Sequence, residues 1–181
     1  MTSIVTGTQL REDMDKGVFD RFRSLPIARI SPLAGALLAD VIRYLVATTL
    51  TIVMGVIMGW RPEFWGVIAS ALLVMICSFA VSWIFALMGC LMNKASAVQG
   101  ISMLIMFPLT FMSNAFVPVE TMPGWLQAFV NINPVSHLVT AVRELTNSGH
   151  VGIHVVWALL GAAIITVVFA PLAVKAYMRN T

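Results

Sequence analysis

Four long stretches of this chain carry almost no formal charge, and no other feature limits its fold as tightly. They run from about Leu33 to Gly59, Phe64 to Met92, Ala97 to Val117 and Val151 to Val174. A helix needs about 20 largely apolar residues to cross about 30 Å of hydrocarbon, so each stretch is long enough to span a bilayer. Backbone groups inside lipid have no water to bond, which makes helix the expected state of all four. The first carries Asp40 and Arg43 near its start and is uninterruptedly uncharged from Tyr44 onward. Composition excludes the soluble alternative. Of the 181 residues 59% are hydrophobic and 10% charged, against about a quarter charged in ordinary soluble domains. The expected fold is a single all-α integral membrane domain over residues 1–181 with four transmembrane helices.

A fifth run, Thr121 to Val142, also lacks formal charge but contains Pro123, Gly124, Asn131, Asn133, Pro134 and His137. Pro134 has no N–H and pushes Asn133 out of helical geometry, which divides the run into about Pro123 to Val130 and Val135 to Leu145. Neither piece is long enough to cross. Trp125, Phe129, Leu138, Val142 and Leu145 give both an apolar side, so 118–150 reads as a non-spanning helical hairpin that lies in or dips into the interface.

The formal charge is +3. The basic residues sit at the ends of apolar runs and not on one face, which argues for topology signals and against a nucleic-acid surface. Arg11, Lys16, Arg21, Arg23 and Arg29 precede the first run, Lys94 follows the second, and Lys175 and Arg179 follow the last, while Arg61 and Arg143 fall on the opposite side. The positive-inside rule then places both termini and the Lys94 loop in the cytoplasm and 118–150 outside. Trp60 and Trp65 suit an aromatic belt at that outer surface. The polar start, with Arg11, Glu12, Asp13, Asp15 and Lys16, lacks a signal-peptide layout.

Several residues are candidates for function. Leu10, Met14, Val18, Phe22 and Leu25 recur at helical spacing and predict an amphipathic helix from Leu10 to Leu25, stopped by Pro26. Periodicity leaves two roles open for it, an interfacial anchor or a docking helix that presents Arg21 and Arg23 to a soluble partner. Asp40 and Arg43 share a helix face within about two turns of the inner end of their run, the expected place of a structural ion pair. Gly55 and Gly59 form a small-xxx-small pair that would admit a neighbouring helix. Met75, Met88, Met103, Met106 and Met112 read as core filler or as an adaptable apolar lining. Cys77 and Cys90, thirteen residues apart on one run, imply neither a disulfide nor a metal site. Ser136 and His137 are adjacent and so do not face each other on a helix, which excludes a nucleophile pair. His150 and His154 could hold one edge of a metal, but lack partner ligands and are better read as a capped helix start. No GxxxxGK[ST] loop is present, so this chain does not bind ATP by that route.

Two segments then carry a family likeness. Residues 16–29, KGVFDRFRSLPIAR, resemble the cytoplasmic signature of type-2 ABC exporter permeases, particularly the daunorubicin/doxorubicin-resistance branch. Residues 114–126, NAFVPVETMPGWL, and 133–138, NPVSHL, resemble the external region of the same family. The resemblance implies that Gly17, Phe19, Arg21, Phe22, Arg23 and Pro26 belong to a coupling helix seated on a separate ATP-binding subunit. It implies that Pro118, Pro123, Trp125, Asn133, Pro134 and His137 shape a re-entrant external region. It further implies a permease that is not itself an enzyme, with ATP and Mg on the partner subunit, no cofactor in this chain and a second permease chain as homodimer partner. Such a protein would move a hydrophobic or amphiphilic drug-like compound out across the bacterial plasma membrane. Family members have six spans where this chain offers four, an expectation of an incomplete copy or of a complementing chain. The alternative reading is a truncated or non-transporting membrane scaffold.

Overall fold

The computed structural model describes residues 2–16, 31–117, 119–148 and 151–180, and every regular element among them is helical. In chain order these are α1 (Thr2–Asp15), α2 (Ser31–Ile57), α3 (Phe64–Leu91), α4 (Ala95–Phe111), a 3₁₀ turn (Val119–Thr121), α5 (Gly124–Ile132), α6 (Pro134–Ser148) and α7 (Ile153–Asn180).

Among the described residues three helices are long and apolar enough to cross a membrane: α2 over Leu33–Ile57, α3, and α7 over Ile153–Arg179. Their lengths of 25, 28 and 27 residues correspond to about 37–42 Å at 1.5 Å per residue, more than the hydrocarbon core requires. The apolar surface of α2 and α7 is largely outward: Leu38 and Ile42 are 65% exposed and Val167 is 73% exposed. A helix apolar on its outer face has no stable place in water, so lipid is the solvent that this surface fits.

The third apolar run forms a shorter helix than its hydropathy suggests. The sequence suggested Ala97 to Val117, but α4 stops at Phe111 after 17 residues, at the lower limit for crossing. Uncharged polar groups cause the stop. The Ser113 hydroxyl donates to Thr110 O at 2.6 Å and accepts the Ala115 amide at 3.3 Å, and Asn114 Nδ2 donates to Thr140 Oγ1 at 2.7 Å. Ser113 and Asn114 thus bend the chain where hydropathy alone reads on.

The residues group into two compact units. Unit 1 comprises Met1–Leu45, Ser78–Met103 and Ala163–Thr181; unit 2 comprises Val46–Cys77 and Leu104–Ala162. In unit 1, Leu10, Leu33, Leu37, Ala86, Cys90 and Tyr177 form a buried apolar cluster flanked by Met14, Phe79 and Trp83.

Helix α1 revises the reading of the N-terminal segment. The periodicity pointed to a helix opening at Leu10, yet it opens at Thr2, because its inward face mixes Ile4 and Leu10 with residues that hydropathy scores as polar or neutral. Ser3, Ile4, Thr6, Gly7 and Leu10 are all buried. A Cβ on Gly7 would lie 2.5 Å from the Phe85 carbonyl oxygen, and one on Gly89 would collide with the Gly7 carbonyl. Two glycines therefore allow α1 and α3 to meet backbone to backbone. On the outer side Arg11 pairs with Asp15, and Lys16 with Glu12 at 3.3 Å, both at the i,i+4 spacing that supports a helix. The helix ends at Asp15, with Lys16 in a turn. The rest of the expected Leu10 to Leu25 helix lies outside the described residues.

In unit 2, Gly55 and Gly59 do not receive a neighbouring helix as their spacing suggested. Gly59 has φ +93°, the Trp60 amide donates to Gly55 O at 3.0 Å and the Gly59 amide to Val56 O at 3.0 Å. Those two bonds around a left-handed glycine are the Schellman stop, which satisfies the last carbonyls of α2. The Trp60 ring covers Gly55, where a Cβ would lie 2.9 Å from Trp60 Cε3.

Candidate functional site

Gly17, Phe19, Arg21, Phe22, Arg23, Pro26 and Pro118 lie outside the described residues. The remaining candidates fall into two polar constellations, one in each unit.

The first is centred on Asp40, which is fully buried. Arg43 Nη1 donates to Asp40 Oδ1 at 3.2 Å, and the Ser82 hydroxyl donates to Asp40 Oδ2 at 3.0 Å. Tyr44 continues the network, with its hydroxyl against Ser82 Oγ and 2.7 Å from Ser3 Oγ. Arg43 Nη2 reaches Gln9 Oε1 at 3.3 Å. Three helices therefore join one network around the carboxylate: α1 through Ser3 and Gln9, α2 through Asp40, Arg43 and Tyr44, and α3 through Ser82. A buried carboxylate without such partners would be strongly unfavourable. The network stabilises by satisfying that charge, and it ties the polar N-terminal helix to two apolar ones. Sequence spacing shows the Asp40–Arg43 pair but not Ser3, Gln9, Tyr44 or Ser82, since hydroxyl residues in an apolar run carry no periodic signal.

The second constellation organises 119–148. Pro123 precedes α5 in extended geometry (φ −57°, ψ 148°), and α5 ends at Asn133 (φ −67°, ψ 118°). Asn133 does three things at the break. Its amide closes α5 on Phe129 O at 3.0 Å, its Oδ1 accepts the Val135 amide at 3.0 Å as the cap of α6, and its Nδ2 donates to Leu109 O at 2.8 Å. Pro134 occupies the first helical position of α6, where its missing N–H costs nothing. Two more side chains of α6 bind the bend after α4: Thr140 takes Asn114 Nδ2, and Arg143 Nη2 donates to Ala115 O at 3.1 Å. Residues 133, 140 and 143 lie on one side of α6 and its cap, so three polar bonds fix it to the end of α4 and the bend that follows. Trp125 is 66% exposed and takes no part in this fixation.

His137 does not face Ser136. Its Nε2 lies 2.8 Å from Asn131 O and its Nδ1 lies 3.2 Å from His154 Nδ1, while the Ser136 side chain is buried. His154, read from sequence beside His150, thus pairs with His137 instead; His150 is outside the described residues. Among the described residues, no group of three or more His, Cys, Asp or Glu side chains is placed to hold a metal ion.

Comparison with known proteins places this architecture. The family model described as ABC-2 type transporter matches residues 1–146. The daunorubicin resistance ABC transporter permease protein DrrB1 of Streptomyces coeruleorubidus is 46% identical over 99% of this chain and 64% of its own length. A probable doxorubicin resistance ABC transporter permease protein, DrrC of Mycobacterium tuberculosis, is 31% identical over 95% of this chain and 63% of its own length. ABC transporter G family member 20 of Dictyostelium discoideum is 26% identical over 84% of this chain and 20% of its own length. The chain therefore spans less than two thirds of the length of these relatives. No solved structure matches it.

Proposed function

The chain belongs to the ABC-2 type transporter family, and from that membership we propose that it is a membrane-spanning permease subunit of an ATP-driven exporter of drug-like, amphiphilic compounds. The observation that carries the reading is the 46% identity, over 99% of this chain, to a relative whose name is a daunorubicin resistance permease. ATP and Mg are held on a separate ATP-binding subunit, and two permease chains pair as a homodimer in the bacterial plasma membrane. The 16–29 segment, with Gly17, Phe19, Arg21, Phe22, Arg23 and Pro26, docks on the ATP-binding subunit as a coupling helix. Residues 118–150 stand on the outer side as a re-entrant hairpin, with Pro118, Pro123, Trp125, Asn133, Pro134 and His137 among their shaping residues.

The partition of charge supports this orientation. Arg11, Lys16, Lys94, Lys175 and Arg179 flank the apolar runs at one set of ends and Arg61 and Arg143 at the other, the asymmetry that the positive-inside rule reads as orientation. Closure of the ATP-binding subunits on nucleotide would move the docked segment as a lever and bias the spans between inward- and outward-facing packings.

The test is co-purification. Reversing charge with Arg21→Glu and Arg23→Glu together should abolish association with the cognate ATP-binding subunit while leaving membrane insertion intact. Undiminished association would overturn the assignment of the docking segment.

A further inference from the structure

We propose that the hairpin of residues 119–148 is divided in function: α6 is a fixed post, locked to α3, α4 and α7, and α5 is the arm that moves against it during transport. That α5 moves during transport rests on the exporter reading; that α6 is fixed and α5 is not rests on unit 2 alone, which contains every residue concerned.

The lock between α6 and α3 is made by the main chain. Glu63 precedes α3 and its carbonyl accepts the Val67 amide at 3.0 Å, so its own amide has no acceptor within that helix. It donates instead to Thr146 O at 3.3 Å, in the last turn of α6, where carbonyls lack helical donors. Two orphan groups satisfy each other, and the positive end of α3 meets the negative end of α6. Gly66 makes the approach possible. A Cβ there would collide with the Leu145 carbonyl oxygen, so the last turn of α6 rests on the backbone of α3 and no change of rotamer at position 66 can release it.

The other locks run along the rest of the helix and its cap. Asn133 Nδ2 donates to Leu109 O, Thr140 Oγ1 accepts from Asn114 Nδ2, and Arg143 Nη2 donates to Ala115 O. Toward α7, the Nδ1 atoms of His137 and His154 are 3.2 Å apart, and a Cβ added at Gly161 would be 3.7 Å from Pro134 Cβ. Ser136, Ala141, Leu145 and Thr146 are buried. Moving α6 alone would therefore break bonds to three helices together.

Helix α5 is held otherwise. Of its nine residues Val130 is the buried one, whereas Trp125 is 66% and Ile132 is 81% exposed. It follows Pro123, and no side chain caps its first amides. Gln127 Nε2 donates to Met122 O at 2.8 Å, a bond that stays within the arm. The side-chain tie from α5 to α6 lies at the joint between them, where Asn131 O is 2.8 Å from His137 Nε2. A segment with few buried side chains opens at the least cost in free energy, and α5 is such a segment. The post meanwhile keeps the start of α3 and the end of α4 at constant spacing, so a rocking of the spans carries both together and leaves α5 to open or close beside them.

The first test is hydrogen exchange on the full chain in detergent. Amides of residues 138–147 in α6 should exchange at least about tenfold more slowly, after correction for intrinsic rates, than those of residues 128–132 in α5. Equal rates overturn the division. The second test joins α3 to α6 by oxidising the double variant Glu63→Cys and Thr146→Cys; Cys77 and Cys90 are buried and do not compete. Ethidium efflux by cells carrying the chain and its ATP-binding subunit should be unchanged by the bridge, and a loss that reduction reverses overturns the fixed post. Absence of efflux with the unsubstituted chain would count against the exporter reading and not against the division of the hairpin, which the exchange rates decide alone.

Discussion

Single atoms decide how α1 is held. Gly7 and Gly89 face each other where even one methyl group would strike a carbonyl oxygen, and main-chain atoms of two helices cannot turn aside as a flexible side chain would. Gly89→Ala should therefore destabilise the protein by about 1–3 kcal/mol, the usual cost of overpacking. Gly100, whose added Cβ would meet nothing within 4 Å, is the control; Gly100→Ala should be neutral or slightly stabilising, since alanine is the better helix former. Thermal melts in detergent with limited proteolysis of residues 2–16 would measure both, and equal melting points for the two variants would contradict the packing. The same scale shows why α1 was not legible in the sequence. Ser3 and Thr6 are buried but score as polar, and Gly7 scores as neutral. The fit of α1 depends on what lies opposite each of them, information held more than thirty residues away at Tyr44, Phe85 and Gly89.

At the scale of elements, Asn133 is both the break between α5 and α6 and the tie from α6 to α4. The two roles separate by substitution. Asn133→Ser keeps a side-chain oxygen for the Val135 amide but loses the bond to Leu109 O, and should cost about 1 kcal/mol. Asn133→Ala loses the cap as well and should cost roughly 1 kcal/mol more. Hydrogen exchange of the first turn of α6 would tell them apart: protection there should persist in the serine variant and fall in the alanine variant. The division of the fifth apolar run at Pro134 was readable, because proline restricts its own and the preceding residue whatever surrounds them. The end of α4 was not. Ser113 and Asn114 carry no charge and no fixed turn geometry, and the partners that hold the bend, Thr140 and Arg143, lie far along the chain. The His137–His154 pairing was likewise hidden, since seventeen residues separate the rings and no helical period relates them.

For the whole molecule, the exposed apolar faces of α2 and α7 and the family likeness together describe a multi-pass membrane protein. Its orientation is a matter for experiment. With Glu120→Cys and Lys94→Cys as separate variants, a membrane-impermeant maleimide added to intact cells should label position 120 and leave position 94 unlabelled until the membrane is opened. Cys77 and Cys90 are buried, which keeps the background low. Labelling of both from one side would refute a crossing between positions 94 and 120. Helices α2, α3 and α7 were legible at this scale because a long uncharged run has few alternatives to a membrane helix.

The stop at the end of α2 has a bearing on how the chain is made. Its bonds join Gly55 to Trp60 and Val56 to Gly59, and the ring that covers it belongs to the same six residues. Nothing synthesised later is needed to complete it. The nascent chain can therefore end α2 and turn on local instruction alone, before α3 has been translated, so this reversal of direction is set independently of the long-range contacts that hold the finished protein.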